Sequence, residues 1–150
     1  MIIAGKDVVL RTASKADQAG IEALLTRLKL PTAGVSEWLD HFWVGERESE
    51  IVGVAGIELY GDGALLRSVA ITPELQGGGL GRALVDRTLR SARDVGAREV
   101  YLLTTTAEGY FPRLGFEGTT RTEVPVAVQS SIEFREACPA SAVVMRKVLG

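Results

Sequence analysis

The sequence predicts an α/β sandwich in which a central mixed sheet of six to seven strands is flanked by about four helices. Apolar runs typical of strands alternate along the chain with segments whose apolar residues recur at helical spacing. Residues 42–48 and 51–60 are close enough in sequence to pair as an antiparallel hairpin. A helix separates the strands at 64–71 and 98–104, so these two strands run parallel. Both kinds of connection in one chain are typical of this architecture.

The composition indicates a single ordinary folded domain. The 150 residues are 46% hydrophobic and 24% charged, which is a globular balance with enough chain to bury a core. There are 17 Lys and Arg against 19 Asp and Glu, giving a net charge of −2. This charge favours neither nucleic acid nor an anionic membrane as a partner.

The sequence also predicts a location and excludes some site chemistry. It has no apolar run of the roughly 18 residues that span a bilayer, and residues 1–11 lack the pattern of a signal peptide. The single cysteine, Cys138, cannot form an internal disulfide, which suits a reducing cytosol. One cysteine and one histidine offer no zinc cluster. We therefore expect a cytoplasmic protein without a metal site.

The first half of the chain is predicted to alternate strand, helix, helix and hairpin. Residues 7–12 form a first strand, and Ser14 is a typical N-cap for the helix that follows. Pro31 ends that helix, and residues 35–41 form a second short one. The buried stripe of the first helix is marked by Ile21, Leu24, Leu25 and Leu28.

Glu58 lies in the second strand of the predicted hairpin. Strict alternation along 51–60 places it on one face with Val52, Val54, Gly56 and Tyr60. A glutamate on such a face is either held in a salt bridge or exposed at the strand end, or it serves as a general base. The residues alone leave these interpretations open.

Arg67 lies within the central strand, between Leu66 and Ser68. Charged residues are rarely buried without a partner. The first interpretation pairs Arg67 with Glu58 across the hairpin turn at 61–63. The second makes Arg67 a bidentate clamp for a carboxylate of the substrate, with Ser68 beside it in the same acceptor site.

The stretch from Ala64 to Asp86 combines a strand, a glycine-rich loop and a helix that begins near Leu80. The first backbone N–H groups of a helix lack internal partners and attract anions, so such a loop suits phosphate oxygens. A plain connecting turn is the alternative. Arg82 and Ala83 after Gly81 exclude a P-loop, which requires Lys-Ser or Lys-Thr there, and the spacing does not fit a Rossmann site.

These residues resemble the GNAT superfamily of N-acetyltransferases. The run from Gln76 to Gly81, QGGGLG, matches its acyl-CoA signature Q/R-x-x-G-x-G/A after an apolar strand, and residues 107–116, AEGYFPRLGF, resemble its later helix and Gly-Phe element. The resemblance implies acetyl-CoA as cofactor, central strands that splay around it, an oxyanion donor among the N–H groups of 69–71, and a homodimer. It implies that the cofactor is bound by Val69, Ala70, Ile71, Gln76, Gly77, Gly78, Gly79, Leu80, Gly81, Arg82, Thr106 and Phe111.

The resemblance leaves the proton transfers open. Many GNAT enzymes carry a tyrosine as general acid four residues before the Gly-Phe glycine, and that position is Phe111 here. Tyr110 precedes it, about 100° away around a helix. Some relatives carry a catalytic glutamate on the central strand, where this chain has Leu65. The working hypothesis is direct transfer with Glu58 as base and Tyr110 or water as proton donor.

The C-terminal third is predicted to contain a strand at 116–119, a helix at 124–136 and a strand at 141–148. Thr104, Thr105 and Thr106 end the strand at 98–104. Their hydroxyls could bind the pantetheine arm or polar groups of the acceptor, or Thr105 or Thr106 could simply cap the next helix.

The predicted function is acetyl transfer to the amine of a small molecule. Arg67 favours an amino acid or a glutamate-like toxic analogue, and residues 53–145 are similar to a GNAT branch often encoded with arsenic-resistance genes. The alternative is a non-catalytic acyl-CoA-binding regulatory module, because the usual tyrosine is missing. Both functions require CoA binding, and only turnover separates them.

Overall fold

The computed structural model describes residues 1–105, 107, 109–137 and 141–150. The strands are β1 (Ile2–Ile3), β2 (Lys6–Asp7), β3 (Val9–Thr12), β4 (Phe42–Arg47), β5 (Glu50–Tyr60), β6 (Gly63–Ile71), β7 (Glu99–Thr104), β8 (Glu117–Thr119) and β9 (Val143–Val148). The helices are α1 (Gln18–Arg27), α2 (Val35–Trp38), α3 (Leu80–Asp94) and α4 (Val126–Gln129). Among the described residues, no helix is long and apolar enough to cross a membrane.

Seven strands form one mixed sheet in the order β3-β4-β5-β6-β7-β9-β8, and β1 with β2 forms a separate two-stranded hairpin. In the large sheet β6 and β7 run parallel, and the other adjacent pairs run antiparallel. Successive residues of β6 point to opposite layers: Leu66 packs with Leu89 of α3, whereas Leu65 packs with Val128 of α4. Helices α1 and α2 cover the same face as α4. The predicted α/β sandwich with a seven-stranded mixed sheet is confirmed.

Helix α3 forms where the sequence predicts it. Its buried residues recur at helical spacing, and its N-cap is Gly79 in the left-handed region, with φ at 91°. The chain leaves the helix through Gly96, which also has a positive φ. Each large apolar side chain buried on this stripe stabilises the fold by about 1.5–3 kcal/mol. The buried residues of α3 are Leu80, Gly81, Leu84, Val85, Thr88, Leu89 and Ala92.

The two parallel strands at the centre of the sheet diverge. Pairing between β6 and β7 runs from Gly63–Glu99 to Leu65–Tyr101 and stops there. The strands themselves continue to Ile71 and Thr104, respectively. The sheet therefore opens between its middle strands, as the family resemblance implies, and this opening positions the site described below.

Two bulges alter the predicted alternation. Gly45 pairs with Gly53 and Glu46 pairs with Ile51, so Val52 is an extra residue in β5. Val52 consequently packs in the cluster with Leu80 on the α3 side, not on the face of Val54 as predicted. A second register shift between β5 and β6 adds a residue near Ser68, whose φ is 59°. Short alternating runs cannot show a bulge, because the extra residue is defined by the partner strand.

The N-terminal segment differs from the single strand predicted at 7–12. Residues Lys6–Asp7 belong to the small hairpin, and only Val9–Thr12 join the large sheet. Ser14 caps a short 3-10 turn, Lys15–Asp17, that leads into α1; its N–H donates to the Asp17 carboxylate at 2.7 Å. Helix α1 ends at Arg27, ahead of Pro31.

Two predicted helices are shorter than expected. Among the described residues of 107–116, only Phe111–Leu114 are helical, in a 3-10 turn with Pro112 near its start and Gly115 as its C-cap. The predicted helix at 124–136 stops at Gln129 and is followed by a wide π-helical turn, Glu133–Ala137. Hydroxyl groups compete with the helix there: Ser130 Oγ donates to the Ala127 carbonyl at 2.5 Å, and Ser131 Oγ accepts the Glu133 N–H at 3.1 Å.

Candidate active site

A cavity of about 780 Å³ opens between the diverging ends of β6 and β7. Residues 66–71 form one wall and residues 102–105 form the other. The glycine loop, residues 76–79, closes one side of the cavity. The loop at 28–31, which follows α1, lines the other side. The cavity therefore joins a potential phosphate site to the α1 side of the sheet, where Arg67 is located.

The glycine loop fits a phosphate group. Gly77 and Gly79 have φ values of 84° and 91°, a conformation that residues with a Cβ rarely adopt. The Gln76 side-chain amide donates to the Ile71 carbonyl at 2.9 Å and ties the loop to the end of β6. The unpartnered amides at the start of the 15-residue helix α3 follow directly. Arg82 and Arg113 on the cavity wall add positive charge.

Most of the predicted cofactor residues line this cavity. Gly78 and Leu80 do not: Gly78 lies against Ile3, and the Leu80 side chain packs in the core. Only their backbone groups could contact a ligand. Thr106 lies outside the described residues, as does Cys138. The predicted cofactor residues on the cavity wall are Val69, Ala70, Ile71, Gln76, Gly77, Gly79, Gly81, Arg82 and Phe111.

Glu58 and Arg67 form an ion pair with both side chains fully buried. Arg67 Nη1 donates to Glu58 Oε2 at 2.7 Å. The other carboxylate oxygen accepts the Tyr60 hydroxyl at 2.5 Å, and burial raises the pKa of that phenol. The structure therefore contains the first interpretation of Arg67, its pairing with Glu58 across the hairpin turn. Arg67 lines the cavity, whereas Glu58 lies behind it and is not on the wall.

One end of the buried Arg67 guanidinium has no hydrogen-bond partner among the described residues. Nε donates to Ser68 Oγ at 3.0 Å and Nη1 is held by Glu58, but the buried Nη2 has no hydrogen-bond partner among the described residues. A buried charged donor without a partner is costly. An anionic group entering the cavity would supply that partner. Ser68 also lines the cavity, and because its Oγ accepts from Arg67, its own proton is free to point elsewhere.

Tyr110 reaches the cavity from the turn that precedes Phe111. A Cβ on Gly81 would lie 2.6 Å from Tyr110 Oη, so the phenol rests on the first turn of α3. Burial raises its pKa, and the nearby charges of Arg82 and Arg113 lower it less. The phenol therefore stays protonated at neutral pH and can donate a proton. The neighbouring Phe111 ring packs edge-on against it.

The threonines at the end of β7 divide into two roles. Thr104 Oγ1 accepts the Ala107 N–H at 2.9 Å within the loop after β7. The N-cap of the next helical turn, Phe111–Leu114, is Tyr110, so the cap predicted for Thr105 or Thr106 is wrong. Thr104 and Thr105 both line the cavity. Thr105 is exposed and available to a ligand.

The sequence analysis missed three charged residues on the cavity wall: Lys29, Arg113 and Glu133. Glu133 is only 6% exposed and is the one carboxylate among the described lining residues. Lys29 lies at the rim in the left-handed region, with φ at 62°. An acidic residue between Ile132 and Phe134 in a predicted helix could have signalled Glu133, but its position depends on the turn that replaces that helix.

Comparison with known proteins identifies the family. Residues 38–118 match the Acetyltransferase (GNAT) domain. The chain belongs to the GNAT acetyltransferase family. The match covers the segment that contains the ion pair, the glycine loop and the opening between β6 and β7, so the cofactor of this GNAT cavity is acetyl-CoA.

Three relatives illustrate the likeness of this GNAT domain to known proteins. An amino-acid acetyltransferase of Mycobacterium tuberculosis is 36% identical over 106 residues, which are 68% of this chain and 58% of that protein. A structure of N-acetylglutamate synthase from Neisseria gonorrhoeae, complexed with coenzyme A and N-acetyl-glutamate, has a TM-score of 0.83 at 21% identity and covers 96% of this chain. A Mycobacterium tuberculosis structure with CoA has a TM-score of 0.78 at 28% identity, covering 95% of this chain and 99% of that one. This chain spans only 35% of the Neisseria protein.

Proposed function

We propose that this protein is an acetyl-CoA-dependent N-acetyltransferase whose acceptor is a small amine bearing a carboxylate, an amino acid of the glutamate type. The observation that carries the proposal is Arg67, a residue of the cavity wall whose buried guanidinium leaves Nη2 without a hydrogen-bond partner among the described residues. A guanidinium presents its donors in a planar fork that suits a carboxylate.

The relatives support an acceptor of this kind. One is named an amino-acid acetyltransferase, and another was crystallised with N-acetyl-glutamate. The resemblance to the arsenic-resistance branch adds glutamate-like toxic analogues to the same class of acceptor. We further propose that the enzyme acts in the cytoplasm as a single-domain homodimer, which rests on the family resemblance alone.

In the proposed mechanism the two ends of the cavity hold the two substrates. The glycine loop and the start of α3 bind the phosphates of acetyl-CoA, which supplies the activated acetyl group. Arg67 binds the acceptor carboxylate and so orients the amine toward the gap between β6 and β7. Holding both reactants in one cavity removes much of the entropy cost of their meeting. We assign stabilisation of the developing oxyanion to an N–H group of residues 69–71, as the family resemblance implies.

The acceptor amine must lose two protons. It arrives mainly as an ammonium ion at pH 7, and one proton has to leave before the nitrogen attacks the carbonyl carbon. We assign that proton to Glu133, because it is the one acidic residue among the described residues that line the cavity. Glu58 then serves to hold Arg67 in place, although its role as base remains a prediction to test beside Glu133. After the C–N bond forms and the C–S bond breaks, the thiolate takes up a proton from Tyr110 or water, and the second amine proton leaves to solvent.

The deciding experiment measures release of free CoA thiol from acetyl-CoA in the presence of single acceptors. The panel contains amino acids, glutamate, phosphinothricin-type and arsenic-containing glutamate analogues, polyamines and peptides. We expect thiol release with carboxylate-bearing amines, and a large rise in the acceptor KM in Arg67→Lys with an unchanged KM for acetyl-CoA. Turnover with polyamines alone would contradict the proposed acceptor.

A second candidate function is a non-catalytic acyl-CoA-binding module, favoured by Phe111 at the position where the family usually carries its acid. It predicts tight binding of acetyl-CoA without thiol release for any acceptor. The same panel, combined with calorimetric titration of acetyl-CoA, separates the two functions.

A further inference from the structure

The small hairpin at the start of the described chain is separate from the main sheet. Strands β1 and β2 pair with each other in the register Ile3–Lys6, and the connecting residues Ala4 and Gly5 have φ values of 51° and 77°. Two positive φ angles are typical of the tight turn whose twist matches that of a hairpin. A backbone hydrogen bond of 2.7 Å from Val8 N–H to the Met1 carbonyl closes its open end.

One residue of the hairpin contacts the glycine loop. A Cβ on Gly78 would lie 2.7 Å from Cγ2 of Ile3, so this side chain lies directly against the loop backbone. Ile3 is 1% exposed and belongs to the cluster that contains Leu75 and Leu80, the residues that flank the loop on either side. The neighbouring Ile2 points outward and is 67% exposed.

The hairpin and the loop have little to order them independently. A two-stranded hairpin without further packing is marginally stable in water. Three consecutive glycines lose more conformational entropy on ordering than three residues of any other type. A loop that is flexible in the free protein would lose this entropy when a ligand binds, which weakens binding. Docking Ile3 between Leu75 and Leu80 removes that freedom before the ligand arrives.

We propose that the β1–β2 hairpin is part of the acetyl-CoA site, with Ile3 as the positioning residue that holds the glycine loop in its binding conformation. Binding equilibria coupled through one element are reciprocal. A docked hairpin therefore tightens CoA binding, and bound CoA in turn keeps the hairpin docked. The proposal depends on the use of CoA by this GNAT domain and not on the identity of the acceptor.

The first test is the affinity for CoA, measured by calorimetry on the full chain. Ile3→Ala is expected to weaken CoA binding about tenfold, a typical size for such coupling. Once an acceptor is known, the KM of the Ile3→Ala variant for acetyl-CoA should rise. Its kcat at saturating acetyl-CoA should change less than twofold. Ile3→Val keeps the branched side chain and should restore most of the affinity.

Two control variants separate positioning from plain destabilisation. Ile21→Ala removes a fully buried isoleucine from α1, whose cluster contains no residue of the hairpin or the glycine loop. It should lower the melting temperature without changing the Kd for CoA. Ile2→Ala should change neither quantity, because the side chain is exposed.

The second test measures hydrogen exchange of the backbone amides with and without CoA. Slower exchange of the amides of Lys6 and Val8 in the presence of CoA is expected from the coupling. A Kd for CoA within twofold of wild type in both Ile3 variants would overturn the proposal, and so would hairpin exchange that CoA leaves unchanged. Should Ile3→Ala fold poorly, Ile3→Val and the exchange measurement decide the outcome.

Discussion

Arg67 and Glu58 lie on adjacent strands with 2.7 Å between Nη1 and Oε2, and neither side chain is exposed to solvent. Each charge is compensated by the other, and Glu58 receives a second hydrogen bond from Tyr60. Loss of one partner leaves the other charge buried, which costs far more than loss of both. This pair therefore links the stability of the sheet to the chemistry of the cavity.

The first prediction concerns that link. Arg67→Met should lower the free energy of unfolding by about 3–5 kcal/mol, because it leaves Glu58 charged and buried. The double variant Arg67→Met with Glu58→Gln should recover most of the loss. Urea denaturation measures both, and Arg90→Ala, which breaks the exposed pair with Asp86, should leave the midpoint unchanged. A double variant no more stable than the single one would show that the charges are not coupled.

The second prediction tests Glu133 as the proton acceptor. Glu133→Gln should lower kcat at pH 7 about a hundredfold, within the usual contribution of a general base. The defect should shrink toward pH 9, where more of the amine is neutral without help. Glu123→Gln, an exposed change ten residues earlier, is the matched control. If Glu58→Gln shows this pH pattern and Glu133→Gln stays within threefold of wild type, the base is Glu58.

The third prediction concerns Tyr110. Burial disfavours the phenolate, so the pKa of Tyr110 is raised above its ordinary value. Tyr110 should therefore cause no alkaline loss of kcat below about pH 10. Tyr110→Phe should lower kcat about tenfold or more if the phenol protonates the thiolate. Tyr101→Phe, a buried tyrosine whose hydroxyl donates to Glu99, is the control. Equal kcat values in both variants would leave water as the donor.

The fourth prediction uses two glycines with similar backbone conformation. A Cβ on Gly34 would lie 2.7 Å from Arg67 Nη1, whereas a Cβ on Gly61 would meet nothing within 4 Å, and both residues have positive φ. Both alanine variants should lose about 1–2 kcal/mol of stability from backbone strain. Only Gly34→Ala should displace Arg67 and raise the acceptor KM severalfold at unchanged KM for acetyl-CoA. Equal acceptor KM values in steady-state assays would contradict this account.

Local sequence was sufficient to predict the elements whose signals are local. The stripe of α3, the apolar run of β6 and the glycine loop between them need no distant partner, and the structure confirms all three. The pairing of Glu58 with Arg67 was one of the interpretations that the sequence left open, and it was available because a short hairpin brings their strands together.

The remaining features depend on contacts between distant parts of the chain. The extra residue Val52 is defined by its partner strand β4, and the helix predicted at 124–136 is interrupted by hydroxyl groups whose hydrogen bonds no periodicity shows. Glu133 reaches the cavity only because that helix breaks. Ile3 resembles any apolar residue near a chain end until the glycine loop is folded beside it.

The slot between β6 and β7 is made by the paths of two backbones and not by a particular set of side chains. Any sequence that keeps β6 paired with β5, and β7 paired with β9, will keep the slot open in the same place. Cavity residues on loops and turns, such as Lys29 and Glu133, lie outside the sheet and can change without moving either strand. New acceptors can then evolve on an old scaffold through changes that leave the scaffold intact.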